Sequence, residues 1–207
     1  LKSHSDIYRR LRNTLRYVLG NLDDFHEDER LNINDMPELD RWVLHRLWEM
    51  DCLLREACNT LHFHQAFAEI HNFCAVDLSA FYFDIRKDSL YCDPKDDIKR
   101  RAARTVLDEI FDCLTAWLAP FICFTAEEAW LARYPEDGQK NSVHLRAFPK
   151  IPEAWCDKVL AEKWEKIRSI RRVVTGAIEL ERKEKRIGSS LQAHPIVHAK
   201  QEDILHM

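Results

Sequence analysis

Four glycines in 207 residues set the tightest limit on what this chain can fold into. Glycine supplies the positive φ angles of tight turns, and proline, present seven times, presets others. So few turn residues leave little room for a large β-sandwich or an open α/β sheet. They suit long helices with few connections. The apolar spacing agrees. Ile7, Leu11, Leu15, Val18 and Leu22 recur with a helical period, after Ser5 as N-cap and Asp6 in the first turn. Gly20-Asn21 closes this helix, and an acidic loop runs to about Asn34. Asp35 is expected to cap a second helix, with Pro37 near its first turn and a stripe from Leu39 through Trp42, Leu47 and Leu54 to Ala57.

A third helix is expected from Phe63 to Arg86, apolar around much of its circumference and therefore central. Lys87 to Tyr91 then leads into the polar connection Cys92-Asp93-Pro94. A fourth helix covers Lys95 to Leu118, with Ala102, Val106, Ile110, Leu114 and Trp117 on one face and Ala119-Pro120 at its end. Thr125-Ala126-Glu127-Glu128 reads as the capped start of a fifth helix through Arg133. Pro135 to Gln139 reads as a loop and Ser142 to Leu145 as an extended piece. A long charged helix follows from Cys156 to Lys185, with Gly176 inside it, then a strand or extended tail from Leu191 to Ala199. The expected architecture is all-α: a helical bundle over residues 1–150 and a C-terminal helical appendage over residues 151–207, ending in a short extended segment.

Charge is uneven along the chain. Net charge is -4, which by itself does not point to a nucleic-acid partner. Yet residues 1–22 carry five basic side chains against Asp6, residues 23–57 carry eleven acidic and four basic, and residues 158–186 carry ten basic and five acidic. Basic segments flanking an acidic one can orient a polyanion, although solvated helix faces give the same pattern. The seven cysteines are odd in number and form no C-x-x-C pair, which argues against a disulfide framework and for a reducing cytoplasm. No run of about 18 apolar residues exists for a membrane span. The opening Leu-Lys-Ser-His is no secretory leader and reads as the edge of an excised piece.

The first helix carries the sharpest chemical signal. At about 100° per residue, Arg9, Arg12, Asn13 and Arg16 share roughly a third of its circumference, opposite the apolar stripe. Guanidinium forks match phosphates and base edges, and an Asn amide can pair with a base edge. A salt-bridged surface helix is the competing reading. Cys58, His62 and His64 are spaced C-x3-H-x-H, but a metal site needs three or four convergent ligands, and buried thiol and hydrogen-bonded imidazole are the plainer roles. Tyr91, beside a polar turn, suits either a stacked base or a turn anchor. No nucleophile elbow, P-loop or dinucleotide turn occurs, so no catalytic or metal-binding residue is assigned.

Several segments in order resemble the region that follows the catalytic core of bacterial-type isoleucyl-tRNA synthetases, class I enzymes. They are Ser5-Asp6 with Tyr8 to Arg16, then Asp40-Arg41-Trp42-Val43-Leu44, Phe63-His64, Asp77-Leu78-Ser79 with Tyr82, and Lys87-Asp88-Ser89-Leu90-Tyr91. Leu118-Ala119-Pro120-Phe121 with Phe124 to Trp130, Ser142 to Leu145, and Ile187 to Ala193 continue the series. Phe121-Ile122-Cys123-Phe124 departs from that pattern, where a proline before the Phe-Thr pair is common. Valyl and leucyl enzymes share the bundle more loosely. The resemblance implies an anticodon-binding bundle whose partners are tRNA and the catalytic and editing domains of a parent chain. It further implies a cytoplasmic monomer without membrane contact. The HIGH and KMSKS motifs are missing, so ATP and magnesium belong to the parent, and zinc to a distal cysteine-rich module. No cofactor is expected here. In the related methionyl enzyme an Arg on the corresponding helix helps read the anticodon, and Arg12 takes that place. The tRNA-binding set implied is Arg9, Arg12, Asn13, Arg16, Lys87, Asp88 and Tyr91. A purely structural or protein-interaction bundle is the alternative from another class.

Overall fold

The computed structural model describes residues 2–135 and 141–198. Among them every regular element is helical and no strand occurs. The helices are α1 (Lys2–Asn21), α2 (Glu38–Asn59), α3 (Phe63–Asn72), a π-helical stretch (Phe73–Tyr82), α4 (Phe83–Cys92), α5 (Ile98–Leu118), α6 (Cys123–Arg133) and α7 (Lys158–Lys183). The chain divides into two compact units, one up to Cys156 and one from Asp157 on. The loop expected at Pro135 to Gln139 lies, past Pro135, outside the described residues, as does Ala199 at the end of the expected tail.

The centre of the first unit is α5, not the helix beginning at Phe63. Its expected face of Ala102, Val106, Ile110, Leu114 and Trp117 is buried, and so are Ala103, Leu107, Phe111 and Leu118 on its other sides. Helices α1, α2, α4 and α6 all pack on it. Asp97 caps it by accepting from the backbone N–H of Lys99 at 2.8 Å, so the helix starts three residues later than Lys95. Each fully buried Leu or Phe contributes about 1.5–3 kcal/mol of transfer free energy, which makes this helix the main apolar reservoir of the bundle.

Several local expectations are corrected. Helix α1 already runs through Ser5, and Asp35 caps nothing. It closes a 3-10 turn, Ile33–Asp35, and Pro37, which has no N–H to satisfy, precedes α2. Helix α2 ends at Asn59, and Leu61 takes the left-handed φ of 61° that turns the chain into α3. The chain from Phe63 stays helical to Cys92, so Lys87, Asp88 and Tyr91 lie on a helix end, not in a turn. Phe83, Arg86 and Leu90 share its buried face, which keeps the backbone helical past the charged residues. Between α3 and α4 the backbone widens, and the Ser79 hydroxyl donates to the Cys74 carbonyl five residues back at 2.8 Å. Helix α6 begins at Cys123, so Thr125 sits inside it and is buried. Ser142 to Leu145 is a 3-10 turn, because the Ser142 hydroxyl accepts from the His144 backbone N–H at 3.2 Å.

The acidic segment after α1 is bound to the bundle by arginines. Arg104 donates to the Asp23 carbonyl at 2.6 Å and pairs with Glu29 at 3.1 Å. Arg101 donates to the Glu29 and Asp28 carbonyls. Arg30 reaches Asp108 and Glu109, and Arg133 also pairs with Asp108. The guanidinium carbons of Arg30, Arg104 and Arg133 all lie within 5.9 Å of the Phe25 ring centre.

In the second unit the Asp157 carboxylate caps α7 by accepting from the Leu160 backbone N–H at 2.9 Å. Gly176 does not interrupt the helix. A 3-10 turn at Ser190–Gln192 follows, and no strand forms over the described part of the tail.

Candidate nucleic-acid interface

Helix α1 lies on α5 with α6 along one flank and the π-helical stretch along the other. Leu11, Thr14, Leu15 and Val18 are buried beneath it. Both flanks are fixed by tyrosines. On the α6 side the Tyr8 hydroxyl hydrogen-bonds the Thr125 hydroxyl at 2.9 Å. On the α4 side the Tyr17 ring stacks on Phe83 with centroids 4.3 Å apart. Burial and the neighbouring phenol of Tyr91 push the Tyr17 hydroxyl pKa up, so it stays protonated. With three sides occupied, the remaining arc of α1 holds Arg9, Arg12, Asn13 and Arg16, all exposed.

These four side chains are not equivalent. Arg9 pairs with Asp6 one turn earlier at 2.9 Å, in solvent. Arg12 grips Glu128 of α6 with two N–H donors, at 2.6 and 3.1 Å. That contact holds the Glu128 carboxyl below its ordinary range and raises the guanidinium further. Both partners remain about half exposed, at 46% and 62% of their side-chain surface, so the pair is screened and exchangeable. Among the described residues Asn13 and Arg16 make no side-chain hydrogen bond or ion pair, which leaves their donors available for a ligand.

The α4 residues are brought in only partly. Tyr91 is exposed, and its hydroxyl lies 3.5 Å from the Asn21 amide nitrogen at the end of α1. Lys87, one turn before it, uses its ammonium on Asp84 at 2.9 Å. Lys87 and Asp88 are both exposed, and neither hydrogen-bonds α1. The sequence reading missed Glu128, whose contact with Arg12 spans 116 positions, because it was taken as a helix-start acid. It also missed Tyr8 as a fixing residue and Phe124 as an exposed ring.

The other candidates lie elsewhere. His62 Nδ1 is engaged with the Thr60 hydroxyl at 2.8 Å, and no group of three or more ligand-type side chains among the described residues is placed to hold a metal ion. No described helix is long and apolar enough to cross a membrane. A cavity of about 660 Å³ is lined by Leu54, Phe63, Trp117, Phe121 and Phe148. Its one arginine, Arg146, is stacked 3.9 Å over Trp130.

The family of anticodon-binding domains of tRNA ligases matches residues 40–197. The isoleucine–tRNA ligase of Agrobacterium fabrum is 51% identical over 206 residues, covering 99% of this chain and 21% of that protein. The enzyme of the same name from Caulobacter vibrioides is 50% identical over the same length, and that from Brucella abortus is 52% identical over 198 residues, 96% of this chain and 20% of that protein. The chain thus spans about a fifth of the length of these curated relatives. The family match begins at Asp40 and leaves α1 out, so the α1 stripe rests on its own geometry. All-helical architecture and a family match over most of its length lead to one assignment: the chain belongs to the anticodon-binding domains of tRNA ligases.

Proposed function

We propose that this chain binds the anticodon stem-loop of a transfer RNA as part of a longer isoleucine–tRNA ligase. The outward stripe of α1 carries the proposal: three guanidiniums and an amide, on a helix whose other sides are all anchored. Arg16 and the loosely paired Arg9 take phosphates, while Arg12 and Asn13 lie nearer base edges. Lys87 and Tyr91 form the opposite wall. The splayed loop of an RNA hairpin suits such a surface, because its unpaired bases expose both faces and edges. Half identity with isoleucine–tRNA ligases favours that specificity over the valyl and leucyl alternatives.

Amino-acid activation, with its ATP and magnesium, falls to other parts of the parent, as do editing and any zinc module. The bundle over residues 1–150 receives the RNA, and the appendage from residue 151 starts the region that leads to the parent's distal module. The parent acts as a monomer in the cytoplasm. A mobility-shift titration with an isoleucine anticodon stem-loop tests this reading. The intact chain forms a complex that weakens with salt, and Arg12→Ala weakens it by about tenfold to a hundredfold. Absence of any salt-sensitive complex would instead favour a protein-interaction bundle.

A further inference from the structure

Phe124 is the most exposed aromatic side chain among the described residues, at 92% of its surface. It is the second residue of α6, and the next residue, Thr125, turns inward to Tyr8. At about 100° per residue, Phe124 and Glu128 fall within roughly 40° of each other on α6. The ring therefore stands one turn from the carboxylate that grips Arg12. Tyr8, itself 42% exposed, closes the same corner from α1. An exposed aromatic face thus lies one helical turn from the Arg12–Glu128 pair, in solvent, where α1 packs on α6.

The charges distinguish this corner from the rest of the stripe. Glu128 neutralises Arg12 and repels a phosphate. Arg16, with no carboxylate partner among the described residues, keeps its full attraction for one. The grip on Glu128 consumes two of the five N–H donors of Arg12, and the neighbouring Tyr8 phenol also engages the guanidinium, which still leaves spare donors for another acceptor. A locally neutral site with an open ring face and spare donors suits an uncharged, flat, acceptor-bearing group. An unpaired nucleobase has that chemistry, and every base offers a π-face for stacking.

We propose that Phe124 is the stacking platform for one unpaired base of the RNA loop, and that Glu128 is a positioning residue that holds the Arg12 fork beside it. This rests on the reading of the chain as an RNA-loop binder.

The test uses the full 207-residue chain and an anticodon stem-loop RNA carrying 2-aminopurine in the loop. Phe124→Leu is expected to lower affinity about tenfold and to reduce the fluorescence change on binding, while Phe124→Trp keeps both. Because the ring is in solvent, neither variant shifts the melting temperature. Glu128→Gln frees Arg12 for a phosphate and is expected to steepen the salt dependence by about one charge. If the wild-type chain binds no stem-loop, the underlying reading fails. If it binds, and Arg16→Gln weakens it while Phe124→Leu does not, the platform alone is wrong. An unchanged salt slope in Glu128→Gln would overturn the positioning role.

Discussion

Arg86 and Arg16 are the same side chain put to opposite uses. Arg86, 7% exposed, donates through Nε at 3.1 Å and again through Nη2 to the fully buried Asp40, which also accepts from the Tyr82 hydroxyl at 2.7 Å. Burial pushes the Asp40 carboxyl up, against the pull of Arg86, so each charge is tolerated only in the presence of the other. Arg16 stands in solvent, without an ion pair among the described residues. The contrast extends to whole regions. Arg30, Arg101, Arg104 and Arg133 are consumed in fastening the acidic segment to α5 and α6. The α1 arginines make only exchangeable pairs among the described residues, Arg9 with Asp6 inside the helix and Arg12 with Glu128. A basic residue is available to a ligand when the fold does not need it, and pairing and burial show which residues those are.

Substitutions can break this contrast. Arg86→Ala strands a buried carboxylate, and the expected loss is about 3–5 kcal/mol, measured by urea unfolding. Leu15→Ala on the buried side of α1 costs about 2–5 kcal/mol in the same experiment, since the side chain is 2% exposed. The double substitution Arg9→Gln with Arg16→Gln leaves stability within about 0.5 kcal/mol. A fold that melts early in that double variant would show that the stripe has a structural role and would erase the contrast with Arg86.

Much of this was legible in the sequence, and the failures share a cause. Scarce glycine and 3.6-residue spacing pointed to the helical bundle, and the α1 period placed Leu11, Leu15 and Val18 inside and the basic stripe outside. The helix ending at Cys92 was cut short at Arg86 because Lys87 to Tyr91 was read as leading into a polar connection, and Arg86 itself was assigned no partner. It lies on the buried face with Phe83 and Leu90, and its partner Asp40 is 46 positions away. Thr125 looked like a cap because its hydroxyl was assigned a local role, whereas it meets Tyr8 across 117 positions. Glu128 was missed for the same reason. Local rules capture a side chain's own helix, but these polar groups are satisfied across the bundle, and periodicity carries no record of that partner. The widening of the backbone over Phe73–Tyr82 likewise leaves no mark in the apolar spacing.

The central claim is that the exposed arginines of α1 hold RNA phosphates. Its most direct test is the salt dependence of anticodon stem-loop binding, compared between the intact chain and the Arg9→Gln, Arg16→Gln double variant. Two lost phosphate contacts predict a slope of log affinity against log salt shallower by about two, with weaker binding at low salt and an unchanged melting temperature. An unchanged slope in a folded double variant would contradict the account and place the RNA on another face of the bundle.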